Sequence, residues 1–326
     1  MLKNNNKAND ALIMLCYVCA LGAFGAFFRW LQMQVARESE TGLINPSILN
    51  FLLPAIIIAA AVVLWLRTKK LTDAETVFPT GMSEALRGLS LVYIIFAWVI
   101  AALAVIGGVL TIVNSALDSL RTMYVIIAVL AILSGLSFPL ICSASRSHYS
   151  PSLVSVFMAI PIVMYCLWLI ASYRSNANNP NVWMFAIDII AICCVILALF
   201  YVAGYAFGRP NPQKACYLSL LGAFMCITTL ADSRYMGLEL IILATAGMLL
   251  MYSWLIVKNR CAKADIPTRA KPVRPREPEP EPEEDTVIEA SPDVVSPEPT
   301  IEAPARNAKS EPAPDEVEEI IKEYNK

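Results

Sequence analysis

Apolar residues along this chain come in blocks. Long, nearly uncharged runs fall near residues 11–30, 46–66, 89–113, 122–142, 151–172, 182–207, 215–231 and 236–257, and short intervening stretches hold most of the charge. A bilayer core of about 30 Å is crossed by about 20 residues of helix, because each residue rises about 1.5 Å and lipid offers no partner to an open backbone N–H or C=O. The runs therefore predict an all-α integral membrane bundle of about eight transmembrane helices. The run from Ala215 is the shortest and most polar, so seven spans is the competing count.

The first run has to be told from a signal peptide, since Lys3 and Lys7 precede it and Ala20, Gly22 and Ala23 are small. Its uncharged stretch from Ala11 to Phe28 is longer than a usual signal core, which predicts an uncleaved first helix.

Lys and Arg in the short connections set the expected orientation. With the N-terminus inside, the inner set is Lys3, Lys7, Arg67, Lys69, Lys70, Arg87, Arg146, Arg209, Lys214, Lys258, Arg260 and Lys263, against Arg29, Arg37, Arg121, Arg174 and Arg234 outside. This asymmetry predicts that both termini are cytoplasmic. Trp30, Trp168 and Trp183 then lie at the outer interface and Trp65 and Trp254 at the inner one, with Trp98 left in mid-span.

Composition agrees: 57% of the 326 residues are hydrophobic and 16% charged, and the mean hydropathy is +0.58. That excludes a soluble enzyme and a nucleic-acid binder, because the basic residues are scattered in small groups between apolar runs. Eight of the nine cysteines lie in or at the edges of runs, and Cys261 follows the last, so no disulfide framework is expected. Cys16 and Cys19 form a Cys-x-x-Cys that reads as two small thiols on an apolar helix.

Charge at membrane depth costs on the order of 2.5 to 3.5 kcal/mol per group, so each such residue needs a reason. Asp188 lies inside the sixth run, Glu239 near the start of the eighth and Arg29 near the end of the first. In the expected topology all three share the outer leaflet. They form either an outward polar pocket for a cation or proton, with Arg29 facing Asp188 or Glu239, or an interhelical ion pair with interfacial snorkelling. Pro54, Pro139 and Pro161 interrupt runs and free the carbonyls of Asn50, Gly135 and Phe157. Carriers place substrate at broken helices, but no internal repeat pairs these prolines, and bends absorbed by neighbouring helices are the simpler expectation. Small residues such as Gly22, Ala97, Ala101, Ala104, Gly108, Ser219, Gly222 and Ala223 predict close helix packing.

Phosphate-loop, dinucleotide, zinc-protease and serine-elbow motifs are all missing, and His148 is the single histidine, so neither catalysis, a metal nor a cofactor is expected.

Several segments resemble a group of polytopic membrane proteins encoded by anaerobic Gram-positive bacteria. The resemblance rests on Gly22 to Arg29 with Thr41-Gly42-Leu43, on Pro161-Ile162-Val163 and Trp168-Leu169-Ile170 before Pro180, on Ala203-Gly204-Tyr205-Ala206-Phe207, and on Leu230-Ala231-Asp232. It covers roughly residues 20–235 and implies a bacterial cytoplasmic membrane. The group has no assigned activity, so it transfers no functional residue.

Past the bundle, expected over 1–257, composition changes. Twelve of the 21 prolines and none of the 13 glycines lie beyond residue 260. Residues 258–314 are expected to be a disordered cytoplasmic segment. It opens with Lys258, Arg260, Lys263, Arg269, Lys271, Arg274 and Arg276, which are drawn to anionic lipid headgroups, and turns acidic from Glu277. Residues 315–326 differ: Val317, Ile320, Ile321 and Tyr324 take the i, i+3, i+4, i+7 spacing of one helix face. So short a helix is marginal alone, which makes that stripe a candidate docking motif for a cytoplasmic protein. The sequence thus offers two functions, a membrane anchor recruiting a partner through its tail, or a secondary carrier for a small solute or ion.

Overall fold

Because lipid leaves an open backbone no partner, each apolar run should close its hydrogen bonds on itself. In the computed structural model, which describes residues 2–35, 48–71, 76–79, 81–86, 91–115, 120–144, 151–177 and 182–262, every run is a helix. The long helices are α1 (Leu2–Val35), α2 (Leu49–Leu71), α4 (Leu91–Asn114), α5 (Arg121–Ala144), α6 (Pro151–Asn176), α7 (Val182–Ala203), α8 (Pro212–Thr229) and α9 (Met236–Lys258). A one-turn helix, α3 (Met82–Ala85), and an antiparallel pair of two-residue strands, β1 (Thr76–Val77) and β2 (Cys261–Ala262), complete the order.

Among the described residues, seven of the eight long helices are long and apolar enough to cross a membrane; α8, at 18 residues, is not apolar enough. The chain is a multi-pass membrane protein. Burial explains the exception: α8 packs against α1, α2, α7 and α9, and Ala215, Leu220, Ala223, Phe224 and Cys226 are all at most 2% exposed. A helix walled in by other helices has little need of a lipid-compatible surface. It still runs the length of the bundle, from Lys214 beside the end of α7 to the Asp232 turn beside the end of α1. At the other extreme α2 shows most of its surface outward, including Ile58, Val62 and Leu66.

Two crossings depend on missing side chains. Gly107 of α4 and Gly237 of α9 bring backbones together, and a Cβ added at Gly237 would lie 2.7 Å from the Gly107 carbonyl oxygen. A Cβ at Gly135 of α5 would meet that of Ala104 at 2.7 Å. Close backbone approach of this kind is how helices associate where lipid is as apolar as leucine. Several helix hydroxyls are satisfied locally or across interfaces: Thr111 donates to the Gly107 carbonyl and Thr228 to that of Phe224, and the Tyr165 hydroxyl reaches Thr245 Oγ1 at 2.8 Å, whereas the Ser219 hydroxyl of α8 is buried without a partner.

The helices run unbroken through Pro54, Pro139 and Pro161. Beside Pro139, Ser134 and Gly135 border a void of only about 20 Å³, room for about one water, so this bend holds no substrate-sized site. Trp98 is exposed on the outer face of α4.

Boundaries differ from expectation in two places. α7 stops at Ala203, short of 207, because Gly208 takes a left-handed φ of 69° and the Arg209 N–H returns to the Gly204 carbonyl at 2.8 Å. Asn211 then caps α8 by accepting from the Lys214 N–H, with Pro212 in the first turn. The expected boundary at 257 is also too early. Arg260 donates to Asp10 at 2.6 Å and to the Leu71 carbonyl at 3.4 Å, Asn259 donates to the Ala85 carbonyl at 2.7 Å, and Cys261 and Ala262 pair with Val77 and Thr76. Arg260 is therefore turned into the bundle and is no longer a free cation for headgroups. Lys258 lies over the Trp254 ring at 4.9 Å. Lys263, Arg269, Lys271, Arg274 and Arg276, the docking stripe Val317, Ile320, Ile321 and Tyr324, and His148 lie outside the described residues.

Candidate functional site

Arg29 comes late in α1, where its side chain is 2% exposed and needs an anion. The anion is Asp232, in the turn between α8 and α9, whose Oδ1 accepts from Arg29 Nε at 2.6 Å. Asp232 Oδ2 accepts from Arg234 Nη2 at 2.9 Å, and the same nitrogen donates to Asp188 Oδ1 of α7 at 2.5 Å. Asp188 Oδ2 takes a hydrogen bond from Ser172 of α6 at 2.8 Å. At the other end of the chain Arg29 Nη1 donates to Gln32 Oε1, and Gln32 Nε2 to Asn50 Oδ1 of α2, each at 2.9 Å.

The result is a line of alternating charges, Arg29, Asp232, Arg234, Asp188, with side-chain amides at one end and a hydroxyl at the other. Its formal charge is zero. Neutrality by alternation is what makes four desolvated charges tolerable, since each ion faces an opposite neighbour and no lone charge is left in a medium of low dielectric. Two helices, α1 and α7, and the α8–α9 turn are tied together by ions, and α6 and Asn50 of α2 by hydrogen bonds.

The sequence candidates Arg29 and Asp188 thus enter one network, though they do not pair directly as expected. Glu239 stays out of it: among the described residues it has no ion pair, and its place in the first turn of α9 lets its charge complement the helix dipole. Asp232, Arg234, Ser172 and Gln32 were missed as site residues. In the sequence Arg234 reads only as a loop charge, and the available signal is the Asp232-Ser233-Arg234 grouping between two closely spaced apolar runs.

Beside Asp188 and Arg234 a cavity of about 500 Å³ opens at this end of the bundle, with Tyr124, Trp168, Ser172 and Leu238 among its walls. The Trp168 ring stacks on Tyr165 at 5.5 Å, and Tyr124 meets Tyr235 edge to face at 6.3 Å. A volume in the range of small-solute pockets, walls of mixed polarity and two charged side chains suit a small polar or zwitterionic solute. Arg234 Nη1 is buried and has no hydrogen-bond partner. Among the described residues no group of three or more His, Cys, Asp or Glu side chains could hold a metal ion.

The opposite end is built from cations over aromatic rings: Arg67 over Tyr17, Lys69 over Trp65, Lys214 over Tyr201 and Lys258 over Trp254, at 4.9 to 5.5 Å. Burial in the turn after α7 raises the Tyr205 phenol above its ordinary range, with nearby Cys216 adding to the rise. No family model, curated protein or solved structure matches the chain.

Proposed function

We propose that this protein is a multi-pass anchor of a bacterial cytoplasmic membrane, with both termini in the cytoplasm, whose residues 263–326 recruit a soluble protein through the stripe Val317, Ile320, Ile321 and Tyr324. The observation that carries the reading is the fastening of the chain where it leaves the bundle. Residues 259–262 are attached at Asp10 of α1, Leu71 of α2, Ala85 of α3 and strand β1. A carrier has no use for so firm a root on its last segment, whereas an anchor needs its tether to start from a set place.

Charge supports the orientation. Arg29 and Arg234, two of the cations assigned to the outside, are neutralised within the bundle, so the free positive charge is still more strongly biased to the other end. The decisive test is capture with the full chain against a version carrying Ile320→Asp and Ile321→Asp. A specific cytoplasmic protein held by the first and lost by the second is expected, and equal capture removes the docking motif.

The cavity at Asp188 and Arg234 favours a second reading, a secondary carrier for a small solute. On that reading Asp188→Asn abolishes uptake or efflux of a solute while the protein stays folded, and removal of residues 263–326 leaves transport intact.

A further inference from the structure

A second cavity, of about 200 Å³, lies at the end of the bundle opposite the charge network, between α1 and α2. Asp10, Ile13, Met14 and Tyr17 line it from one face of α1, at the i, i+3, i+4, i+7 spacing, and Arg67, Lys70 and Leu71 from the end of α2. Asp10 is already matched by Arg260 at 2.6 Å. Arg67 and Lys70 have no carboxylate at ion-pair distance among the described residues, so the cavity carries two uncompensated positive charges. Arg67 is held over the Tyr17 ring at 5.5 Å, which fixes one of them at the mouth.

Its depth is marked by the neighbouring pairs of Lys69 with Trp65 and Lys258 with Trp254, the amphipathic combination that settles at the headgroup layer. It opens sideways: Ile13 is 63% exposed and Leu66 48%, and the apolar outer faces of α1 and α2 continue from them into the bilayer. We infer that this cavity binds the phosphodiester of an anionic glycerophospholipid, with Arg67 and Lys70 on the phosphate and the acyl chains along α1 and α2. A free inorganic anion would find the cations but would leave the walls of Ile13, Met14 and Leu71 unused. The inference stands apart from the function of the tail.

The test uses the full chain in a neutral detergent, titrated with dioleoyl phosphatidylglycerol, dioleoyl phosphatidylcholine or inorganic phosphate, with retained lipid counted by native mass spectrometry. Phosphatidylglycerol should be retained, phosphatidylcholine about tenfold less, and phosphate should not displace the lipid. Arg67→Gln with Lys70→Gln should weaken phosphatidylglycerol about 25-fold, about fivefold for each charge. Arg209→Gln with Lys214→Gln removes the same charge from the same end and should leave retention within about twofold, because a site differs from a diffuse surface potential. Equal losses in the two variants, equal retention of phosphatidylcholine, or displacement by inorganic phosphate would each overturn the assignment. A photoactivatable phosphatidylglycerol on the unaltered chain gives a reading that needs no variant. Adducts at Ile13, Met14 or Leu71 are expected, and adducts confined to other helices would count against the site.

Discussion

Arg260, just past the last helix, closes on Asp10 in the first at 2.6 Å, so the two extremes of the bundle's sequence meet in one ion pair. Asp10 is half exposed, which limits the pair to under about 1 kcal/mol. Its importance is positional, since the same guanidinium also reaches the Leu71 carbonyl and so holds the start of the tail on two helices at once.

Replacing Arg260 with Ala should therefore loosen residues 259–262 without unfolding the bundle. Limited proteolysis should cut near residue 262 several times faster, while the melting temperature in detergent shifts by no more than about 2 °C, as an exposed pair dictates. A melting shift beyond about 5 °C would give the contact a global role.

The charge network should behave in the opposite way. Asp232→Ala removes the carboxylate that joins Arg29 to Arg234 in a buried setting, at a cost of about 3–5 kcal/mol. Changing Arg29→Met as well should recover most of that loss, because Arg234 remains matched to Asp188. Thermal or denaturant unfolding of the two variants in the same detergent checks the sign of the coupling.

Gly237→Ala should cost about 1–3 kcal/mol, the usual effect of forcing a methyl into a filled contact, because a Cβ there meets the Gly107 carbonyl and the backbone of Thr111. Gly208→Ala meets nothing within 4 Å but sits at φ of 69°, so its smaller cost, about 1 kcal/mol, comes from the backbone alone. Comparing their unfolding midpoints separates crowding from conformational strain.

Orientation can be read with single cysteines placed at exposed positions. Arg121→Cys should react with an impermeant maleimide added to intact cells, and Arg209→Cys only after lysis. The reverse pattern would invert the assignment of both termini.

The number, order and approximate limits of the helices were legible because an apolar stretch of about 20 residues has one low-energy outcome in lipid. Asp188 and Arg29 were legible as costly residues for the same reason. Their partners were not, because pairing Arg29 with Asp232 requires α8 to lie against α1, and nothing in the local pattern specifies neighbours within a bundle. The β1–β2 pairing and the contact of Asn259 with Ala85 escaped for a similar cause: two-residue strands and a single amide leave no periodicity to detect. The Gly107 and Gly237 crossing lies between these cases, since Gly108 and its alanine neighbours announced a close-packed face on α4 without naming α9 as what rests on it.

The polar character of α8 bears on how the protein is made. A segment opening with Pro212-Gln213-Lys214 and carrying Ser219, Thr228 and Thr229 has little drive to leave the translocon for lipid on its own. Its packing against α9 and against α1, α2 and α7 predicts insertion as one arm of a hairpin with α9, once those earlier helices have been synthesised. A nascent chain halted after residue 230 should lack α9, one of the helices that complete the burial of α8, and should insert α8 poorly.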